Sequence, residues 1–306
     1  MCYSAQIIDA WDQFVRRQGA TISLRDFAEL YGFRLSDKRI RIPKAVGAAF
    51  SKPESEAERA IKAEIDAFNV EQTTQWEQEL FKQRKRLADA ERSLEAKTTK
   101  AATESKRIAL GKIDWLLGKL ADLRRTELQS DDSRIFPAWY APVIVSENGA
   151  RVVKPMRYQC RPVGKPAFYD TKYPGTYNAR RDSLEGFWKG QFGVTHGLLP
   201  VSHFYENVNQ DGKNVVLEFR PGDDQPMLVA CLWSRWTGPE GELLSFAAIT
   251  DEPPPEVVAA GHDRCIVPIK PEYIDAWLNP DRNDLQASYA ILDDRRRPYY
   301  EHLLAA

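Results

Sequence analysis

The distribution of proline limits the fold of this chain more than any other feature. No proline lies between Pro53 and Pro137, whereas seventeen of the nineteen prolines follow position 136. Proline inside a helix removes a backbone hydrogen bond and clashes with the preceding turn, so a long proline-free stretch is where long helices are permitted. That stretch holds only two glycines, Gly111 and Gly118, and is rich in Ala, Glu, Lys, Arg, Leu and Gln, all good helix formers. Ile61, Ile65 and Phe68, then Leu80, Leu87 and Leu94 at heptad steps, mark one apolar stripe. Ile113, Leu116, Leu117, Leu120 and Leu123 mark another. Between them, "KTTKAATES" supplies Thr and Ser, which bond to nearby backbone and disfavour helix interiors. The pattern predicts two helices, 54–97 and 102–128, folded back as an antiparallel, coiled-coil-like hairpin. Its charge fits a solvated face, with a partner-binding arm as the sharper alternative.

The flanks read differently. Residues 5–34 suggest one or two short helices, with Leu24, Phe27 and Leu30 at helical spacing behind a Ser or Thr cap. After the hairpin, short β-branched runs alternate with Gly and Pro: "APVIV", "ARVVKPM", "NVVLEFR", "MLVACLW", "LLSFAAIT" and "CIVPI". "VVLEFRPGDDQPMLVACLW" reads as a strand hairpin around "PGDDQP". "KPEYIDAWLNP" reads as a short helix ended by Pro280. The expected class is α+β, with a β-rich body that carries short helices and an inserted helical hairpin.

Formal charge is −1, so no global field draws the chain to nucleic acid or anionic membrane, and such binding needs a local patch. One exists in the sequence. Residues 151–190 hold nine Lys/Arg against three Asp/Glu, a net +6, interleaved with Tyr158, Tyr169, Tyr173, Tyr177 and Trp188. Cations beside stacking surfaces suit single-stranded nucleic acid. The cysteines are Cys2, Cys160, Cys231 and Cys265. They show no CxxC spacing, hence no zinc signature, and their scatter fits reduced thiols in the cytoplasm. No signal peptide or membrane span is legible, and no cofactor or metal is expected.

Cys2 follows the initiator methionine directly. Once Met1 is removed, it presents an α-amine and a thiol on adjacent carbons, with ordinary pKa values near ~8 and ~8.5. That pair is suited to an aldehyde: the amine forms an imine and the thiol closes a five-membered ring. Three other stretches stand out: "YPGTYNARRDSL" with Asn178 and Arg180, "GLLPVSHFYEN" with Glu206, and "GHDRCIVPI" with His262. Singly, each has an ordinary structural explanation as a turn, a strand end or a packed histidine. Asp251 and the "EPPPE" loop read as a rigid surface turn.

In this order, "MC", "NARRDSL", "HFYEN" and "HDRCIVPI" resemble the SOS response-associated peptidase (SRAP) family of abasic-site-processing proteins. "MRYQCRPVG", "LVACLWSRW" and "SFAAIT" agree with the intervening strands. The resemblance covers residues 1 to about 35 and 135 to about 280 and implies a twisted, barrel-like antiparallel core. It divides the chain into a catalytic domain, 1–50 and 131–306, and an insertion, 51–130. It implies a covalent thiazolidine link between Cys2 and abasic sites in single-stranded DNA, with lyase or autopeptidase-type activity. Cys2, Asn178, Glu206 and His262 would be catalytic, and Arg157, Tyr158, Arg161, Arg180, Arg181, Trp188 and Thr250 would contact DNA. The hairpin is open to a protein partner. The sequence departs from the family at Tyr3 and Ser4, where Gly-Arg is usual, and at Tyr158, Asn207 and Cys265. These departures leave a noncovalent nucleic-acid or protein-interaction module as the alternative.

Overall fold

The β-branched runs after the hairpin do form strands, and four of them close into a barrel with the strand that carries "GLLPVSHFYEN". The computed structural model describes residues 4–210, 212–239 and 241–305. Its strands are β1 (Ser4–Ile7), β2 (Thr21–Ile22), β3 (Arg134–Ile135), β4 (Tyr140–Glu147), β5 (Ala150–Tyr158) and β6 (Asn178–Arg180). They continue as β7 (His196–Gln210), β8 (Lys213–Pro221), β9 (Met227–Gly238), β10 (Gly241–Asp251), β11 (Cys265–Ile266) and β12 (Tyr300–Leu304). Going round, β10, β5, β4, β7 and β9 pair in turn, and β9 returns to β10, giving a closed five-stranded barrel. Closure leaves these strands no unpaired edge to protect. The β4–β5 connection is Asn148-Gly149, both at positive φ, the chemistry a two-residue hairpin requires. Val143, Ile144, Val153, Met156, Leu198, Leu232 and Phe246 are fully buried, so the barrel strands are covered on both faces.

The expected hairpin around "PGDDQP" does not form. β8 and β9 pair with β7 and not with each other. β7 is long enough to serve both: His196–Val201 pairs with β9, and Phe204–Gln210 pairs with β8. The segment 5–34 holds the expected short helices but begins with a strand. Ser4–Ile7 is a strand locked between β7 and β3, and helices follow only at α1 (Trp11–Arg17) and α2 (Leu24–Ser36). Trp11 stacks on Phe27 at 5.5 Å, and Phe50 crosses both beyond α3 (Lys44–Ala48).

The proline-free stretch gives α4 (Glu56–Ala96) and α5 (Lys100–Arg124). Ser55 and Glu58 form a capping box at the start of α4, and Thr99 caps α5. Helix α5 ends at Arg124, earlier than the pattern suggests, because Arg125 turns extended to reach Asp132 and Asp122. Contacts of Glu77 with Arg124 and of Arg86 with Ser105 run in opposite chain order, so the helices are antiparallel. Leu80, Ile113, Leu116 and Leu120 form a small core of their own, while Ile61 at the root joins the main one. The fold is completed by short helices α6 (Tyr169–Lys172), α7 (Pro255–Ala259), α8 (Ile274–Leu278) and α9 (Leu285–Asp293).

Candidate active site

Alternation along β7 puts Phe204, Glu206 and Val208 on one face, and all three are buried, Glu206 at 0% exposure. A carboxylate in such a row is expensive unless something answers its charge or its proton. His262 does so. Its Nε2 lies 3.2 Å from Glu206 Oε2. The turn after α7 delivers the ring: Gly261 takes φ +95°, a conformation that side chains strain to adopt, and His262 N–H donates to Val257 O. Nδ1 of His262 sits 2.8 Å from the carbonyl oxygen of Arg264. A ring nitrogen that close to a carbonyl carries the hydrogen, which leaves Nε2 facing the Glu206 carboxyl. Burial pushes the His262 pKa down to about 4. Both members of the pair are buried away from water.

Strand β10 aligns several of the other expected residues. Ser245 and Phe246 pair with Arg157 and Tyr158, then Ala248 and Thr250 pair with Asn178 and Arg180. At ~3.3 Å per residue, these positions follow one another over roughly 17 Å. On the far side of β10, Thr250 pairs with Ile266 of β11. Asn178 is buried, and neither atom of its amide has a hydrogen-bond partner among the described residues. The Thr250 hydroxyl is in the same state. Unmet buried polar groups cost ~1–3 kcal/mol each, and they are the groups a ligand can satisfy.

The expected DNA-contact residues divide. Arg180 is half exposed and only loosely held, 3.7 Å from Asp182. Arg181 is tied to Asp251 at 3.0 Å and Asp293 at 2.5 Å. Arg157 and Arg161 both grip Asp170, at 2.8 and 2.6 Å, and the Arg161 guanidinium lies over Trp236. Tyr158 is sandwiched by Phe246 and Tyr177 at 1% exposure, and Trp188 is 2% exposed. Neither ring offers a face to a base, because the barrel core has taken it. Asp251 is likewise no surface turn. It is buried and also joined to Arg295.

Two arginines escaped the sequence reading. Arg134 lies 3.6 Å from the centre of the Tyr205 ring, beside Glu206 in the chain, and its Nε reaches Ser4 Oγ at 3.1 Å. It returns a cation to the strand from which the Tyr3-Ser4 departure removed one. Arg264, next to His262, lines a cleft of about 1040 Å³ with Arg181, Asp182, Asp251, Arg295 and Arg297. Arg134 belongs to no motif and only the fold brings it in, whereas Arg264 is the arginine of "HDRCIVPI".

Met1 and Cys2 lie outside the described residues. The first described residue, Ser4, pairs with Tyr205. Cys160, Cys231 and Cys265 are buried, and burial raises all three thiols, Cys160 to about 12. No described cysteine is therefore a ready nucleophile. Among the described residues no cluster of His, Cys, Asp or Glu could hold a metal, and no helix is long and apolar enough to cross a membrane.

The sequence matches the family described as SOS response associated peptidase (SRAP) over residues 71–302. A Bacillus subtilis protein named abasic site processing protein YobE is 28% identical over 110 residues, 35% of this chain and 50% of that one. The chain thus spans about half the length of this curated relative. Solved structures from Bordetella bronchiseptica (19% identity, TM-score 0.47) and Bacteroides thetaiotaomicron (15%, 0.48) are also similar. Each covers 57% of this chain, which covers 87% and 78% of theirs respectively.

Proposed function

The chain belongs to the SOS response associated peptidase family, and on that premise we propose that it captures abasic sites in single-stranded DNA as a covalent thiazolidine on Cys2. Met1 leaves first and frees the α-amine. The amine adds to the open-chain aldehyde of the abasic sugar and loses water to give an imine. The thiol then adds across the C=N bond, sulfur to carbon and proton to nitrogen, closing the ring. Hydrolysis of the Met1–Cys2 bond consumes one water and releases methionine, and thiazolidine formation releases one water, with no oxidant or reductant.

One observation carries the reading: a buried carboxyl–imidazole pair, 3.2 Å apart, whose carboxyl is on the strand to which the N-terminal segment is bonded. Cys2 is two positions from Ser4, at most about 7 Å of chain. Glu206 removes the proton from the attacking amine and returns it to the departing hydroxyl, and His262 completes the relay. Asn178, with an amide free to donate and accept, orients the sugar without adding charge. Arg180 holds a flanking phosphate. The burial of the other three cysteines supports Cys2 as the nucleophile.

The test is incubation with a single-stranded oligonucleotide carrying one abasic site. The expected product survives a denaturing gel, is absent with Cys2→Ala, and forms about 10²–10⁴-fold more slowly with Glu206→Gln. An equal yield from Cys2→Ala would overturn the mechanism and leave a noncovalent DNA-binding module.

A further inference from the structure

The helical arm carries charge that the barrel site does not use. Its root, residues 56–81, holds seven Asp/Glu against two Lys/Arg, a net −5. Its tip, residues 82–112, holds ten Lys/Arg against four Asp/Glu, a net +6. Three of the four tip carboxylates are already used within the arm: Asp89 by Arg92, Glu91 by Lys106 and Glu104 by Arg107. Lys82, Arg84, Lys85, Lys97, Lys100 and Lys112 are exposed, and none has a carboxylate within ion-pair distance among the described residues. Lys82, Lys85 and Arg86 also line a cleft of about 520 Å³ between α4 and α5, beside the hydroxyls of Ser93 and Ser105.

We propose that the arm tip is a second nucleic-acid contact, gripping DNA phosphates at a distance from the lesion. The proposal rests on the function proposed above and extends it. A membrane surface fits less well, because interfacial helices need an apolar face, and Leu110 is the one large apolar side chain exposed between Lys82 and Lys112 among the described residues. A polyanion needs only the charge. At 1.5 Å per residue the tip begins about 40 Å from the start of α4. That is roughly a dozen steps of duplex at 3.4 Å each, so the strand it holds is a flank and not the damaged sugar. The acidic root keeps DNA from lying along the whole arm and concentrates contact at the tip.

The test compares the full chain with a variant in which all six unpaired cations become Gln, a residue that preserves helix. The first readout is affinity for an undamaged single-stranded 40-mer against salt. The expected loss is at least about 10-fold at low salt, with a log–log slope shallower by about 0.7 for each phosphate released, some 2–4 in total. A second variant with the five lysines changed to Arg keeps the original slope. Adduct yield on a short abasic oligonucleotide at saturating concentration stays unchanged in both variants. An unchanged slope in the Gln variant overturns the proposal. So does loss of binding to phosphatidylserine vesicles with the DNA slope intact. If the wild type makes no adduct, the crosslinking reading fails separately, since undamaged DNA reports the arm alone.

Discussion

Two stretches of this chain sum to the same formal charge and spend it differently. Residues 151–190 and residues 82–112 each come to +6. In the first, Lys154 is buried between Asp26 and Glu147, Arg151 meets Asp275, and Arg181 meets Asp251 and Asp293. Those carboxylates all lie outside the stretch. In the second, six cations stand in water with no such partner. Strands that build a barrel desolvate their side chains, and a desolvated charge has to be matched. Two helices that pack mainly on each other leave theirs wet. Charge counted along a sequence is therefore a poor guide to charge on a surface unless the segment is known to stand apart from the core.

The largest effect expected from this contrast is on stability. Lys154→Ala leaves Asp26 and Glu147 facing each other without their cation, and breaking a buried pair from one side costs ~3–5 kcal/mol. Lys85→Ala at the arm tip should stay within about 0.5 kcal/mol. Urea unfolding of both variants checks this. A Lys154→Ala protein as stable as the wild type would erase the distinction between the two regions.

The same contrast explains what could be read in the sequence. The arm was legible because its helices are governed by local rules: no proline, good helix formers, apolar stripes and a capped break. Glu206 and His262 were legible through motif order, which survives without any knowledge of distance. The fates of Tyr158, Trp188, Arg157 and Arg161 were not. Their partners, Phe246, Tyr177 and Trp236 among them, come from strands and loops elsewhere in the chain, and Asp170 reaches two arginines at once. Nor could the double pairing of β7 be seen, since a 15-residue strand with two successive neighbours looks locally like any other. Ser4–Ile7, at the head of a segment expected to hold one or two short helices, becomes strand because β7 and β3 flank it.

Acid should separate the regions next. Burial lowers the pKa of His196 to about 3 and those of His203 and His262 to about 4, against 6.5 for an unhindered imidazole. The unfolded chain binds these protons first, so barrel stability declines as pH falls from 6.5 toward 4. A second loss follows at lower pH. Burial pushes the Asp170 carboxyl up, but hydrogen bonds from Arg161 and Arg157 outweigh it and hold its pKa below 3.8. The stability from that group is present above 3.8 and disappears as pH falls through its folded pKa. The arm contains no histidine and has no share in the first decline. Melting temperatures at pH 7, 5.5 and 4.5 should fall in that order, with the helical signal of the arm outlasting the tertiary signal of the barrel. A flat profile over this range would contradict the buried, neutral state assigned to these rings.

The smallest effect is the most discriminating, because it asks for a difference between two exposed cations. Arg180 sits at the barrel rim, 3.7 Å from an Asp182 that Arg264 approaches at the same distance. Exposed pairs of this kind contribute ~0–1 kcal/mol, so Arg180→Ala should leave unfolding almost untouched. If Arg180 holds a phosphate beside the abasic sugar, its loss flattens the salt dependence of binding by about 0.7 on a short lesion-bearing strand and on a long one alike. Lys85→Ala should flatten it by a similar amount on the long strand and by nothing on the short one, which ends before the tip. Salt titrations of both variants on both lengths make a two-by-two comparison. Equal slopes for Lys85→Ala on the two strands would mean that the arm folds back over the site, and the division between a barrel that reacts and an arm that holds would have to be withdrawn.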